Sequence, residues 1–146
     1  MAKSEWKIEW SDSLSVGVPQ MDEEHRQFIV LANDLNQAVL ACEDKVAVEF
    51  RMNQMLNQVA VHFSHEEALF DRLKFPLAAV HRAQHAELKA KFDRVMNEFK
   101  DSDISYVWAL KGLQLKQLLI EHLLQEDMKY RDFVRSGNLD EKKPVA

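Results

Sequence analysis

The sequence predicts an all-α protein, an antiparallel up-down-up-down four-helix bundle with an N-terminal arm. Glycine and proline are scarce, with three of each among 146 residues, and they stand between segments of helical periodicity. Within those segments apolar side chains recur at alternating spacings of three and four residues. No segment rich in valine, isoleucine and threonine shows the alternation of a β-strand. Because the turns between the four segments are short, consecutive helices are expected to lie antiparallel.

The composition is that of one globular domain. Apolar residues make up 47% of the chain and charged residues 29%, and 146 residues suffice for one core. We therefore expect a single domain over 1–146, with an arm over 1–18, a bundle over 19–135 and a polar tail over 136–146. The 19 basic residues form no tract and are outnumbered by 24 acidic residues, so no nucleic-acid partner is expected.

The chain lacks the sequence features of membrane insertion and secretion. No apolar run is long enough to cross a bilayer, and the first six residues lack the apolar segment of a signal peptide. The single cysteine, Cys42, excludes an internal disulfide and favours a reducing compartment. A cytoplasmic location without membrane insertion is therefore expected.

The first helix is predicted to begin near Pro19, a residue suited to a first helical turn. Asp22, Glu23 and Glu24 then place negative charge near its positive end. Its inward stripe follows a strict alternation of three and four residues, with Cys42 as a small apolar member. The stripe consists of His25, Phe28, Ala32, Leu35, Val39 and Cys42.

The second helix is predicted to start after Asp44, an N-cap candidate. Its inward stripe consists of Met52, Met55, Val59, His62, Glu66, Leu69 and Leu73. Phe75 and Pro76 then break the periodicity, and Pro76 can open the third helix. The inward stripe of the third helix consists of His81, His85, Leu88, Phe92, Val95 and Phe99.

The fourth helix is predicted to follow a turn at 101–103, whose residues are N-cap candidates. Its inward stripe consists of Trp108, Gly112, Leu115, Leu119 and His122. Gly112 costs a helix about 1 kcal/mol relative to alanine. We expect the close approach of a neighbouring helix, or room for Trp108 or Trp10, to offset that cost. Gly137 is predicted to end the helix.

The fourth stripe contains one irregularity. After His122 the next inward position is Glu126, yet the residue suited to an interior polar site is Asp127, one position later. Five residues on a regular helix turn the side chain about 140° away. One extra residue in that turn would return Asp127 to the position beneath His122. We therefore predict a π-type bulge between these two residues.

Seven potential metal ligands lie on the inward stripes, where a soluble protein normally places leucine. They are His25, His62, Glu66, His81, His85, His122 and Asp127. Buried polar groups require partners, and imidazole and carboxylate groups suit iron, zinc, copper or nickel. A lone histidine on an apolar stripe is more often a core residue, but five histidines and two carboxylates in register have no such explanation. Seven ligands are too many for one ion and fit two.

The histidines are unevenly divided among the helices. Of the five candidate ligand histidines, three are on the third and fourth helices and two on the first and second. If Glu66, Asp127 and one solvent oxygen bridge the ions, the ion with three histidines has six ligands and the other has five. The second ion then keeps one open position, where a small molecule can bind.

Three polar residues beside these ligands are not expected to be ligands themselves. His65 lies one step off its stripe, so it is expected to face solvent or to support a ligand. Glu67 is expected at the surface or in a supporting position. Tyr130 is a candidate hydrogen-bond donor near Asp127, and plain packing of its ring is the alternative.

The imidazole-rich ligand set favours reversible O₂ binding over O₂ activation. Carboxylate-rich di-iron sites use paired Glu-x-x-His motifs, and this chain contains none. A di-iron enzyme acting on peroxide, O₂ or nitric oxide remains the alternative, and zinc would fit the same ligands without redox chemistry. A histidine phosphotransfer module is excluded, because no histidine lies within ten residues before Lys111-Gly112.

From about Trp10 to Val134 the sequence closely resembles the bacterial hemerythrins. The resemblance is carried by four motifs that fill every ligand position. They are Ser15-Val-Gly-Val18 with Asp22-Glu-Glu-His25, His62-Phe-Ser-His-Glu66-Glu67, Phe75-Pro76-x4-His81-x3-His85, and His122-x4-Asp127-x2-Tyr130.

The resemblance implies a non-heme di-iron centre bridged by Glu66, Asp127 and an oxo or hydroxo group. It implies O₂ binding at the iron held by His25 and His62, in an apolar pocket. The expected role is oxygen storage, delivery or sensing rather than catalysis, with O₂ and an oxygen-consuming enzyme as partners. The family commonly has tryptophan where this chain has a leucine four residues before the histidine of the fourth helix, which puts the pocket shape in doubt. The expected pocket residues are Phe63, Leu118, Leu119 and Leu123.

Overall fold

The computed structural model describes residues 7–136. The first six residues of the arm, the predicted helix stop at Gly137 and the polar tail beyond it lie outside the described residues. The elements in chain order are a short 3₁₀ turn at Asp12–Leu14, α1 at Pro19–Leu40, α2 at Lys45–Leu73, α3 at Ala78–Asp101, α4 at Ser105–Glu121, a π-helical turn at His122–Glu126 and α5 at Asp127–Arg135.

The predicted all-α four-helix bundle is confirmed. The described part of the chain contains no strand. Backbone angles stay helical from α4 through the π-helical turn into α5, so these three elements form one continuous fourth rod. Helix α1 packs against α2 and α4, and α3 packs against the same two helices. Between residues 7 and 136, no helix has the length and apolar character needed to cross a membrane.

The arm is fastened to α1 at two places. Asp22 accepts hydrogen bonds from the Ser15 hydroxyl at 2.6 Å and from the Val16 amide at 2.8 Å. Farther along α1, the Asn33 side chain donates to the carbonyl of Ile8 and accepts from its amide, at 2.8 and 2.9 Å. The first contact holds the entry to α1 and so helps to position the residues that follow it.

The prediction for Cys42 was wrong. Helix α1 ends at Leu40, and Cys42 is exposed in the following turn with a left-handed φ of 56°. The Glu43 amide donates to the Ala38 carbonyl at 3.0 Å, a bond typical of a helix end that reverses at a left-handed residue. The helix therefore stops before its stripe reaches Cys42.

The start of α2 agrees with the sequence, whereas the start of α3 differs by two residues. Asp44 is the N-cap of α2, and its side chain accepts from the Ala47 amide at 2.9 Å. Helix α3 begins at Ala78 rather than at Pro76, because the chain first makes a turn in which the Ala78 amide donates to the Phe75 carbonyl at 3.1 Å. Pro76 therefore precedes the helix instead of opening it.

The predicted N-caps of the fourth helix were also wrong. Helix α3 continues through Asp101, and α4 begins at Ser105 without a side-chain cap. Ser102 closes a local turn instead, since its hydroxyl accepts from the Ile104 amide at 3.1 Å. Its carbonyl accepts from the indole of Trp108 at 2.6 Å, so the connection is anchored to the helix that follows.

Gly112 lies where α4 meets α1 and α2. A methyl group at this position would lie 3.4 Å from Val39 Cγ2, 3.5 Å from Leu35 Cδ1 and 3.7 Å from Val48 Cγ1. The close approach of the neighbouring helices is therefore what offsets the low helix propensity of Gly112.

The core consists of two apolar clusters with a polar layer between them. Each of the four rods passes from one cluster to the other: Met21 and Phe28 on α1 belong to different clusters, as do Phe70 and Phe63 on α2. His25 lies between Met21 and Phe28 along α1. The buried polar side chains of the bundle are thus concentrated at one level along its axis.

Candidate metal centre

All seven expected ligands meet in the polar layer between the apolar clusters. None of the seven residues is more than 5% exposed. Helix α1 contributes His25, α2 contributes His62 and Glu66, α3 contributes His81 and His85, the π-helical turn contributes His122, and α5 contributes Asp127.

The first group of potential ligands contains three histidines. Ligand atoms of His81, His85, His122, Glu66 and Asp127 all lie within 4.8 Å of one another. Nε2 of His81 is 2.9 Å from Asp127 Oδ1, and Nε2 of His85 is 2.9 Å from Glu66 Oε1. Nε2 of His122 is 3.1 Å from Asp127 Oδ1. Three imidazoles therefore face one oxygen from each carboxylate.

The second group contains two histidines and the same two carboxylates. Nε2 of His25 and Nε2 of His62 are 3.1 Å apart. Nε2 of His25 is 3.2 Å from Asp127 Oδ2, and Nε2 of His62 is 3.2 Å from Glu66 Oε2. Glu66 and Asp127 thus each direct one oxygen toward each histidine group, the arrangement required of two bridging carboxylates.

The π-helical turn gives Asp127 its place in both groups, and the predicted bulge is confirmed. The Asp127 amide donates to the carbonyl of His122, five residues earlier, instead of to that of Leu123. The extra residue in the turn returns the carboxylate to the face that carries the His122 imidazole. A regular helix would have directed Glu126 to that position.

The donor set fits metal ions. Five imidazoles and two shared carboxylates are borderline and hard donors of the kind that first-row divalent cations accept. Nε2 of His122 is buried but has no hydrogen-bond partner of good geometry. A nitrogen lone pair directed at a cation accounts for a buried polar atom that no protein group satisfies.

The carboxylates of this cluster are held ionised. Burial, the strongest influence, raises the pKa of Glu66 and Asp127, but contacts with the surrounding histidines lower both pKa values far below their usual range. Burial lowers the pKa of His62, yet hydrogen bonds to Glu24 and Glu66 raise it to about 10. Asp127 and Glu66 likewise raise the pKa of His81 to about 9. The positive charge that the carboxylates require can come from these protons or from bound cations.

Glu24 contacts two histidines, an arrangement that was not predicted from the sequence. Its Oε1 lies 2.6 Å from Nδ1 of His62, and its Oε2 lies 2.6 Å from Nδ1 of His65. Burial raises the pKa of Glu24, but these two hydrogen bonds lower it overall. The missed signal is its spacing, because Glu24 follows Met21 by three residues and precedes Phe28 by four, as an inward residue does.

His65 and Glu67 both lie outside the two groups of potential ligands. The His65 side chain is 42% exposed and contacts the site through Glu24. Glu67 Oε2 lies 2.8 Å from Nδ1 of His85. Each of these residues therefore contacts a histidine of the cluster from outside, directly or through another side chain, as carboxylates do where they orient histidine rings at metal sites.

Tyr130 is a buried hydrogen-bond donor to one carboxylate of the cluster. Its hydroxyl donates to Glu66 Oε2 at 2.8 Å, although Asp127 is the carboxylate nearer to it in sequence. The ring packs at 5.0 Å from Phe70 on α2, which directs the hydroxyl toward α2 rather than along its own helix. Burial and the charge of Glu66 raise the pKa of Tyr130, so the hydroxyl keeps its proton and remains a donor.

Three of the four expected pocket residues belong to one buried apolar cluster. Phe63, Leu119 and Leu123 are each no more than 2% exposed. The Phe63 ring stacks on His85 at 3.7 Å with an angle of 4°. Leu118 is only partly buried, and it borders an open groove of about 260 Å³ that also touches His122.

Most of the chain is similar to known proteins. The family model described as the hemerythrin HHE cation binding domain matches residues 16–134, a span that contains all seven residues of the cluster. The chain is similar to the bacteriohemerythrin of Stenotrophomonas maltophilia, with 27% identity over 87% of this chain and 81% of that protein. It is similar to the bacteriohemerythrin of Pseudomonas aeruginosa at 28% identity, covering 86% and 80%. It is also similar to the myohemerythrin of Sipunculus nudus at 22% identity, covering 84% and 89%.

Proposed function

Because the chain belongs to the hemerythrin family, we propose that it binds O₂ reversibly at two iron ions held by the seven-residue cluster. The observation that carries this proposal is the division of the donors. Glu66 and Asp127 are shared, while three histidines lie on one side and two on the other.

The unequal division determines which ion has room for a ligand. His81, His85 and His122 with the two shared carboxylates offer five protein donors to one ion. His25 and His62 with the same carboxylates offer four to the other. An ion with fewer protein ligands keeps a position for a small molecule, so we assign O₂ binding to the ion held by His25 and His62.

The protein would contribute orientation and an apolar setting. Two ferrous ions, when bound, supply the two electrons that O₂ accepts reversibly. Glu24 fixes the ring of His62, and the Tyr130 hydroxyl fixes Glu66. Phe63 and Leu123 are buried beside the cluster and exclude water. Exclusion of water favours the return of O₂ over its irreversible reduction.

The physiological role that this chemistry supports is oxygen storage, delivery or sensing. O₂ is the proposed ligand, and an oxygen-consuming enzyme is the proposed recipient. The alternative is a di-iron enzyme that acts on peroxide, O₂ or nitric oxide. One observation favours it, the open groove beside Leu118 and His122, through which water and peroxide can approach the cluster.

Metal analysis combined with absorption spectroscopy tests the proposal. The purified protein would be loaded anaerobically with ferrous iron, reduced, exposed to O₂ and then flushed with argon. Two irons per chain and a visible band that appears with O₂ and disappears under argon are expected. A protein with two irons and a spectrum insensitive to O₂ would contradict O₂ binding. Continuous peroxide consumption without a reversible band would establish the enzyme alternative.

A further inference from the structure

A chain of polar contacts joins the protein surface to His85. Nδ1 of His85 donates to Glu67 Oε2 at 2.8 Å, and the other oxygen of Glu67 accepts from Nε of Arg82 at 3.3 Å. One terminal nitrogen of Arg82 lies 3.1 and 3.3 Å from the two carboxylate oxygens of Asp71. The His85 side chain is 1% exposed, that of Glu67 is 25% exposed and that of Arg82 is 46% exposed. The contacts therefore extend from solvent to the interior of the bundle.

The first contact fixes the state of the His85 ring. An ionised carboxylate can only accept hydrogen bonds, so the proton of neutral His85 lies on Nδ1 and the lone pair lies on Nε2. Nε2 is the atom that faces Glu66 Oε1, at 2.9 Å. The face of the ring is held by the parallel ring of Phe63. His85 is thus presented in the tautomer that a metal ion requires.

We propose that Arg82 is a positioning residue of the metal centre, which orients His85 by holding Glu67. The inference rests on the proposed role of His85 as a metal ligand. Arg82 precedes His85 by three residues on α3, while Glu67 and Asp71 lie one turn apart on α2. The contact therefore also fixes α2 against α3 at the level of the site.

Arginine is suited to this role by its shape. The planar guanidinium presents several donors in a rigid fork, so it can contact two carboxylates at once and keep its charge. Asp71 occupies one edge of the fork and thereby orients the remaining Nε donor toward Glu67. A lysine ammonium would retain the charge without this fixed direction.

The other histidine with an outer carboxylate is supported differently. Glu24, the partner of His62, contacts His65 and the amide of Gln20 rather than an arginine or lysine. Among the described contacts, a permanently charged support is therefore found at His85, in the three-histidine group, and not at His62. The effect of Arg82 is accordingly expected at one ion of the pair.

Iron release from the loaded, reduced protein to a ferrous chelator tests the inference. The proteins to be compared are wild type, Arg82→Gln, Arg82→Lys, Glu67→Gln and the double variant Arg82→Gln/Glu67→Gln. Arg51→Gln serves as the matched control. Arg51 lies on α2, as Glu67 does, but away from the site, and it forms an ion pair with Glu43 at 3.6 Å. Exchangeable imidazole N–H signals in the paramagnetic proton spectrum report on the ligand rings directly.

Glu67→Gln is expected to accelerate the release of one of the two irons by about 10-fold, the effect typical of losing a carboxylate that supports a ligand. Arg82→Gln is expected to accelerate the same phase by about 2- to 5-fold, the strength of a partly exposed ion pair, and Arg82→Lys by less. In the double variant, Arg82→Gln should add nothing to Glu67→Gln, because both act along one path. Both single variants should shift the same imidazole N–H signal.

An Arg82→Gln effect that persists in full in the Glu67→Gln protein would overturn the inference, as would an effect equal to that of Arg51→Gln. Equal release rates in a wild type and variants that all hold two irons would overturn it and leave the proposed function intact. A wild type that takes up no iron would overturn both.

Discussion

The backbone amide of Asp127 donates to the carbonyl of His122 across a five-residue turn, and the two side chains meet at 3.1 Å on the inner face of the bundle. This single irregular turn lets the fourth rod supply both an imidazole and a shared carboxylate. The centre thus depends on a local departure from regular helix geometry in an otherwise regular bundle.

Replacement of His122 distinguishes a ligand from a supporting residue. His122→Ala is expected to lower the iron content below two per chain, because it removes one of the three imidazoles of the larger group. His65→Ala is the matched control, since the described contacts of this ring are with Glu24 and Gln20. Metal analysis after anaerobic loading and desalting provides the measurement. Loss of an iron from His65→Ala, with retention of both in His122→Ala, would reverse the assignment.

Removal of the Tyr130 hydroxyl is expected to destabilise the protein. Tyr130→Phe keeps the ring but removes one of the buried donors to Glu66 Oε2, at a typical cost of about 1–3 kcal/mol. The free energy of unfolding would be measured by urea titration of the metal-free protein. Tyr106→Phe is the control, since Tyr106 is 65% exposed and should change the free energy by less than about 0.5 kcal/mol. Equal effects of the two substitutions would contradict the assigned hydrogen bond.

The stability of the metal-free protein is expected to fall as the pH rises. The folded pKa values of His62 and His81, about 10 and about 9, lie above the ordinary value of 6.5. The stabilisation from their protonation is therefore complete below about pH 6.5 and is lost as the pH rises toward these folded values. Urea titrations at about pH 6, 8 and 10 measure the free energy of unfolding at each pH. A free energy of unfolding that increases over this range would contradict the prediction.

Metal uptake should show the opposite dependence on pH. Ligand histidines must lose their protons before they bind a cation, so uptake is expected to strengthen as the pH rises and to release protons. Calorimetric titration in buffers of different ionisation enthalpy counts those protons. The loaded protein should also be more stable than the metal-free protein, by about 2.7 kcal/mol when the free metal is at about 100 times its Kd. Identical melting temperatures with and without metal would exclude a buried metal centre.

Gly112 provides a test of the packing between α4 and α1. Gly112→Ala introduces a methyl group at ordinary contact distance from Val39 and Leu35, the nearest atom lying 3.4 Å away. The gain in helix propensity, up to about 1 kcal/mol, should therefore outweigh the small adjustment of Val39. Gly112→Leu, which cannot fit between the helices, is expected to destabilise. Thermal unfolding of both variants decides the matter, and a large loss of stability in Gly112→Ala would contradict the described spacing.

The helices, the bulge and the inward direction of the seven polar residues could be predicted because each depends on sequence periodicity. His122 and Asp127 are five residues apart, and both side chains can lie on the inner face only if the helix pitch changes locally between them. The end of α1 could not be predicted in the same way. Cys42 continues the stripe in sequence, but it is itself the left-handed residue at which the backbone turns, and periodicity contains no information about that turn.

Partners across the bundle were harder to predict than positions along a helix. Tyr130 was expected beside Asp127, its neighbour in sequence, whereas its hydroxyl contacts Glu66 on another helix. Glu24 was interpreted as a charge at the start of a helix; its spacing indicates an inward position but not that its partners are His62 and His65. Such pairings are determined by the relative rotation of packed helices, which a single sequence does not specify.

The most direct test of the account is the amount of O₂ that the reduced, iron-loaded protein takes up. In the proposed site, the ion held by His25 and His62 has four protein donors and the other ion has five, so O₂ is assigned to the former. We therefore expect one O₂ bound per chain containing two irons, released quantitatively when O₂ is removed. Absence of uptake by a protein with two irons, or uptake that ends in ferric iron and peroxide without release of O₂, would contradict it.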